Sequence, residues 1–249
     1  MRNVQNLEEE KFYLTEENQF HRIYEIISRM PNFILYDSYR ILYEDLFYDT
    51  KDKFFEQNRA TIRVRTYVDK KVLSIKYLSS NAQKEERVRE AYLDLPSDAD
   101  ITTNREAHLF LSNKINDIYA RRLDIDTIRK MRDLKPYLAV YTNREVYELK
   151  NNMDLKISVY FDRCDYKAKF TKDKDNIVKF VLNNYPDTVN LDVFNRFIKN
   201  VNEKVYFIND NESKFECAKR ILNYDRFNKK RKFEEDEKTE ETNNDNEGK

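Results

Sequence analysis

Glycine occurs once in the 249 residues and proline only four times. A phosphate cradle built from a glycine-rich turn, whether a P-loop or a dinucleotide-binding turn, is therefore excluded. Cysteine is nearly as scarce. Cys164 and Cys217 stand alone in no metal-spaced cluster, and the two histidines are His21 and His108. A structural zinc site and a disulfide framework drop out, and a reducing compartment is the expectation. The N-terminus carries no secretory apolar core, and no apolar run is long enough to cross a bilayer. The expected setting is intracellular and cytoplasmic, with no transmembrane segment. An excess of one charge is missing too: Lys+Arg total 46 and Asp+Glu total 46. A generally basic nucleic-acid coat is thereby excluded, DNA is not an expected partner, and any anion site must come from local placement of charge.

What is present is charge in alternation with apolar side chains. The stretch Ala60 to Lys76 reads ATIRVRTYVDKKVLSIK. On a strand, Arg63 and Arg65 leave one face while Ile62 and Val64 leave the other. Across a turn-like Asp69-Lys70-Lys71, Leu73 and Ile75 alternate with Ser74 and Lys76. This spacing predicts a β-hairpin with one apolar and one cationic side. Those cations face either water or a phosphate, and the hairpin alone leaves both readings open.

The rest of the chain repeats the device. Leu7 to Leu14 predicts a first strand, with Leu7, Glu9, Lys11 and Tyr13 opposite Phe12 and Leu14. Phe20, Ile23, Tyr24, Ile27 and Met30 recur at helical spacing until Pro31. Further strands are predicted over Glu44 to Tyr48, Gln83 to Leu95, Leu138 to Leu149, Asp154 to Phe161 and Val205 to Ile208. Helices are predicted over Asn104 to about Arg132, Leu191 to Val201 and Ser213 to Leu222. Leu109 and Leu111 are among the residues available for packing on the first of these. Lys84 has opposite parity to Arg87 and Arg89, so the three share a face only across a bulge. Beyond about Lys229 the chain is charged and poor in aromatics, and 228–249 is expected to be a disordered tail. Its Lys229-Lys230-Arg231-Lys232 reads as a nuclear-import signal or as a basic helix end.

Several strands thus carry a cation opposite their apolar residues: Lys11, Arg63, Arg65, Lys76, Arg87, Arg89, Arg144 and Lys156. Solvation explains each one singly. As a set they fit a sheet curled so that like charges line a channel, a repulsion tolerated when a polyanion fills the space.

At these residues the chain resembles the triphosphate-tunnel group, which includes the CYTH domains, and within it most closely the VTC polyphosphate polymerase domain. Glu9-Glu10-Lys11-Phe12 resembles the family's first-strand pattern, and Phe47-Tyr48-Asp49-Thr50-Lys51-Asp52 its YFDTxD loop. Ile62 to Tyr67 resembles the RxRxY strand, Leu73 to Lys76 the LExK strand, and Lys84 to Arg89 the basic KxxxR-type segment. Leu134-Lys135-Pro136 with Asn143-Arg144 resembles LxP…YxR, and Leu155 to Ser158 with Phe161-Asp162 resembles RIT…D. The resemblance implies an α+β fold, a closed antiparallel β-tunnel of about eight strands flanked by helices, over residues 1–227. It implies that Lys11, Arg63, Arg65, Lys76, Lys84, Arg87, Arg89, Arg144 and Lys156 bind phosphate, with Lys76 and Arg144 also placed for catalysis. Mn²⁺ or Mg²⁺ would sit on Glu9 and Asp162. The implied function is binding of polyphosphate or a nucleoside triphosphate, with metal-dependent polyphosphate polymerase or phosphohydrolase activity.

The sequence departs from the family pattern at Leu7, Ser74 and Thr142. Lys204 to Asn209 also lacks the metal-binding glutamate of the family's late strand. These departures leave two alternatives. One is an mRNA-capping-type RNA 5′-triphosphatase, with the RNA 5′ end as partner and the basic tail as import signal. The other is a catalytically inactive phosphate-binding subunit or sensor.

Overall fold

The protein was analysed as a computed structural model, which describes residues 8–80, 86–119, 133–167, 172–184, 187–209 and 213–220. The segment holding Lys84, the expected extension of a helix to Arg132, and the tail with its basic cluster lie outside those residues. In chain order the elements are β1 (Glu8–Leu14), α1 (Asn18–Ser28), β2 (Phe33–Asp49), α2 (Phe54–Gln57), β3 (Ala60–Thr66), β4 (Lys70–Ser80) and β5 (Glu86–Pro96). They continue as α3 (Arg105–Tyr119), β6 (Lys135–Asn151), β7 (Lys156–Lys167), β8 (Lys172–Leu182), α4 (Thr188–Asn202) and β9 (Ile208–Asn209). Residues 214–220 are helical again.

The α+β expectation holds: one sheet takes all nine strands in the order β5-β4-β3-β2-β6-β7-β8-β1-β9. The pairs are antiparallel throughout. Eight strands are long and the ninth has two residues. The expected closure is corrected, because among the described residues β5 and β9 are edges that pair with nothing across the gap. β2 and β7 run well past their predicted ends, β7 by six residues beyond Phe161. The Glu44 to Tyr48 strand belongs to the 17-residue β2, whose partner β6 is equally long, with a register shift between Leu35 and Asp37. β8 has no counterpart among the predicted strands, since its opening Lys172-Asp173-Lys174-Asp175 is wholly polar.

Alternation sorts the side chains into cores on both faces. On the outer face, Ile62 and Val64 of β3 meet Leu73 and Ile75 of β4, and Phe55, Ile101 and Leu111 close over them. Leu109 instead points to solvent at 54% exposure, which corrects its expected place in the packing. Further along the same face, Phe12, Phe161, Val178 and Phe180 bury against Phe20, Ile23 and Ile27 of α1 and Phe194 and Phe197 of α4. Helical spacing of those apolar residues explains why each helix lies with one stripe on the sheet. Tyr13, Cys164, Tyr166 and Ile177, of opposite parity, face inward and pack with Phe47, Leu138 and Val140 beneath Phe215, Cys217 and Ala218. The segment at 213–220 therefore covers the inner face.

With almost no glycine, the tight turns fall to other residues. Asn32, Lys53, Arg59 and Asp154 all adopt positive φ, between 54° and 66°. Each non-glycine residue in that region carries a steric cost, about 1 kcal/mol, lower for Asn and Asp. At Lys53 the turn is held by its neighbour. The buried Asp49 carboxylate accepts hydrogen bonds from the backbone N–H of Thr50 (2.7 Å), Phe55 (3.0 Å) and Glu56 (3.0 Å), fastening α2 to the end of β2. The aspartate of the YFDTxD-like loop thus has a structural task.

The two-face packing yields a direct contrast. Phe180→Ala should lower unfolding free energy by about 3–5 kcal/mol through a cavity in the outer core. Leu109→Ala should leave it within about 0.5 kcal/mol. Urea melts of both variants beside the parent chain test this, and equal losses would refute the assignment of faces.

Candidate functional site

Above the inner apolar cluster, the same face becomes polar and encloses a cavity of about 770 Å³. Alternation on each strand supplies its lining. β3 contributes Arg63 and Arg65, β4 Ser74 and Lys76, β5 Glu90 and Tyr92, and β6 Arg144. From the far end of the ladder come Glu9, Glu10 and Lys11 of β1 and Lys179 of β8, while residues 213–216 border the space between. Strands up to seven places apart in the sheet therefore share one cavity, so this face is concave. Glu216 reports the same proximity. The Ser213 N–H lowers its carboxyl from the ordinary value, and Lys76 and Lys11, from opposite ends of the ladder, add to the effect.

The cations are held by buried carboxylates. Arg65 donates Nε and Nη2 to the two oxygens of Asp45, at 2.7 and 2.8 Å. Arg144 grips Asp162 in the same way, at 2.6 and 2.7 Å. Both aspartates are fully buried. Burial pushes the Asp162 carboxyl up, but Lys214 and Arg144 outweigh it and hold it well below the usual range. Asp45 behaves alike, with Arg65 the main opposing partner. Arg63 bridges to Glu90 at 3.0 Å and lies 3.9 Å from Asp45. Lys179 meets Glu9 at 2.6 Å, and burial, only partly offset by Glu9, lowers its ammonium from the ordinary value.

Tyr43 stands at the centre. Its ring lies 4.1 Å from the Arg65 Cζ, 5.5 Å from the Arg144 Cζ and 5.1 Å from the Lys214 Nζ. The quadrupole of the ring favours such a gathering of cations. A bidentate pairing uses two of the five guanidinium N–H groups, so Arg65 and Arg144 each keep three others. The cavity can therefore offer fixed, charged donors to an anion, the geometry that suits phosphate oxygens.

Of the residues expected to bind phosphate, Lys11, Arg63, Arg65, Lys76 and Arg144 meet in this cavity. Arg87 and Arg89 lie on β5 opposite Ser79 and Tyr77, with their side chains outside what is described, and among the described β5 side chains Glu90 and Tyr92 reach the lining. Lys156 is exposed at the start of β7, paired with Lys150 and outside the lining. Glu9 and Asp162, expected on a metal, are engaged by Lys179 and by Arg144 with Lys214. Among the described residues, no group of three or more His, Cys, Asp or Glu side chains could hold a metal ion. The described donor set does not fit the implied Mn²⁺ or Mg²⁺.

Four participants lay beyond the sequence reading. Lys179 shares a face with Ile177 and Val181 and was legible once β8 is recognised as a strand. Asp45 and Tyr43 alternate with Leu46 and Glu44 on β2, a signal present but silent about partners. Lys214 opens a helix in Lys214-Phe215-Glu216-Cys217 with nothing local to mark it.

The CYTH domain profile matches residues 9–185. No curated protein matches the chain. Among solved structures, HpAC1 of Hippeastrum, an adenylyl-cyclase candidate described as having a dominant triphosphatase activity, superposes with a TM-score of 0.52 at 17% identity, over 85% of this chain and 94% of that one. An adenylate-cyclase candidate of Bacillus halodurans gives 0.47 at 14% identity, over 84% and 95%. The Mimivirus capping enzyme triphosphatase gives 0.37 at 12% identity, over 80% and 90%. At 17% identity the first likeness is one of fold.

The buried pairs set an acid limit on stability. The folded pKa values of Asp45 and Asp162 lie below the unfolded value of about 3.9, so in that window the unfolded chain binds more protons. Their contribution is present above that value and lost as pH falls below it. Urea midpoints should hold between pH 7 and 5 and drop below about pH 4. Arg144→Ala, which leaves Asp162 with Lys214 alone, should cost about 3–5 kcal/mol at pH 7 and flatten the acid slope. An unchanged slope in that variant would show that the pair is not its source.

Proposed function

The chain belongs to the CYTH domain family, and on that footing we propose that its basic cavity binds the phosphate chain of a nucleoside triphosphate or of inorganic polyphosphate. One observation carries the reading: Arg63, Arg65 and Arg144 converge with Lys11, Lys76 and Lys179 on a single concave space. The buried aspartates beneath two of these guanidiniums fix them before any ligand arrives, which limits the ordering cost of binding. The free N–H groups then meet phosphate oxygens, while Lys11 and Lys76 add charge at the rim. Burial of Lys179 leaves its ammonium more readily deprotonated than an exposed lysine, so an anion beside it would further favour the charged form.

A VTC-like polymerase, a phosphohydrolase and a capping-type RNA 5′-triphosphatase would all use this grip and then need a group to neutralise the transferring phosphoryl. The ion-paired acids support a second reading, a phosphate-binding subunit or sensor that holds its ligand without turnover. Lys76 and Arg144, the residues assigned to catalysis by resemblance, serve binding in both.

The test is titration with tripolyphosphate, ATP and triphosphate-ended RNA, each with and without Mn²⁺, following binding by calorimetry alongside released phosphate and polymer. Tripolyphosphate should bind. Lys11→Ala with Lys76→Ala should weaken it by about tenfold or more, roughly 1.4 kcal/mol, without lowering the melting temperature. Polymer made from ATP would select the polymerase, release from RNA alone the capping enzyme, and binding without turnover the sensor. If none of the ligands binds, the reading is wrong.

A further inference from the structure

The inner face does not end with the cavity. Past Arg144 the strands β2, β6 and β7 run on together, and their register stacks the inward side chains in rows. Tyr39, Val146 and Tyr160 form the first row, Asp37, Glu148 and Ser158 the second, and Ile34, Lys150 and Lys156 the last. From Arg144 to Lys150 is six residues of strand, about 20 Å. β3 pairs with β2 only from Glu44 to Tyr48, so among the described residues no strand flanks the other side of this stretch.

Two features of this strip have no use inside the protein. Tyr36 and Tyr39 are each 45% exposed. Lys150 and Lys156 stand directly opposite each other, an arrangement that like charges disfavour. Both are exposed, and among the described residues neither pairs with a carboxylate. The Lys150 ammonium lies 5.5 Å from the centre of the Tyr36 ring, which brings aromatic face and charge together. At the cavity end, the Arg144 Cζ lies 4.5 Å from the Tyr160 ring. The acid between them is already engaged. Glu148 accepts from the Ser158 hydroxyl at 2.6 Å, the Tyr39 hydroxyl at 3.2 Å and the Asn183 amide at 3.5 Å.

We propose that the strip from Tyr160 and Tyr39 to Tyr36, Lys150 and Lys156 binds single-stranded polynucleotide, with bases on the tyrosines and phosphates on the lysines. Phenol rings supply stacking faces and unpaired ammonium groups supply charge, and a ligand that uses both needs flat rings joined by phosphates. A duplex hides its base faces, so the strand must be single. Glu148 and Asp37 repel phosphate from the middle row, which keeps the backbone to the lysine side and turns the bases to the rings. The inference goes beyond the phosphate-chain reading and stands without it, since the strip lies outside the cavity and needs no triphosphate end.

The test is fluorescence anisotropy of the full chain with a labelled 5′-hydroxyl RNA of about twelve nucleotides, with DNA of the same sequence and with the RNA duplex. The single strand should bind about tenfold or more tightly than the duplex. Tyr36→Leu with Tyr39→Leu should weaken it by about tenfold or more through lost stacking. Tyr39→Phe, which keeps the ring, should bind as the parent does. Lys150→Gln with Lys156→Gln should weaken binding too, and should lower its slope against log salt by about 1.4, the share of two phosphate contacts. In all these variants tripolyphosphate affinity should stay within about threefold of the parent, and melting temperatures report their folding. Equal binding of RNA and DNA shows that stacking and charge are read, and a preference for RNA adds 2′-hydroxyl contacts; both support the strip. A parent chain that binds neither strand, or binds the duplex as well as the single strand, overturns it. So do folded tyrosine and lysine variants that keep parental affinity. Because the probes carry no triphosphate, those results leave the cavity reading intact, and failure of tripolyphosphate alone leaves the strip intact.

Discussion

The Asp162 carboxylate, clamped between Arg144 and Lys214, is the interaction on which the rest of the site depends. It joins β6 to β7 and draws the start of the 213–220 segment onto the inner face of the sheet. A carboxylate buried so completely is tolerable only because two cations surround it, since an isolated buried charge would be far too costly. The dependence runs both ways. Without Asp162, Arg144 and Lys214 would stand within reach of one aromatic ring with no counter-charge behind them, and their mutual repulsion would open the cavity.

Asp45 repeats the arrangement two strands away, and Tyr43 lies between the two clamps. The result is a row of positive groups whose positions are set by negative groups on the sheet rather than by the ligand. The arrangement has a consequence for chemistry. Acids that hold arginines in place are not at hand to hold a divalent cation, so within the described residues the strength of the anion grip and the weakness of the metal set have one cause. In this CYTH domain the basic concave face stands on two buried carboxylates, Asp45 and Asp162, committed to internal pairing.

The outer packing was legible because it follows from period alone. Ile62 and Val64 alternate with Arg63 and Arg65, and the structure sends the first pair to the core beneath α3 and the second to the cavity. Phe12 and Leu14 against Lys11 and Tyr13 divide in the same way. Leu109 and Leu111 cannot both pack: two residues apart on a helix they leave nearly opposite faces, so α3 buries Leu111 and turns Leu109 to water. The opening of β8 is too polar to announce a strand, because that strand gains its apolar residues only from Ile177 onward.

The sequence by itself determined which faces of the strands are apolar and which are cationic, and it ruled out glycine-cradled phosphate sites. It also placed Lys11, Arg63, Arg65, Lys76 and Arg144 on a common side of their strands, since side-chain direction on a strand depends only on position. Only the tertiary structure decided which of those cations meet, that Lys179 joins them while Lys156 stays outside, and that Asp45 and Asp162 serve as their anchors. It alone brought Lys214 to Tyr43 and Thr142 from 171 and 72 residues away. The reason is physical: alternation is a local rule of the backbone, whereas pairing of charges depends on the order and curvature in which distant strands assemble.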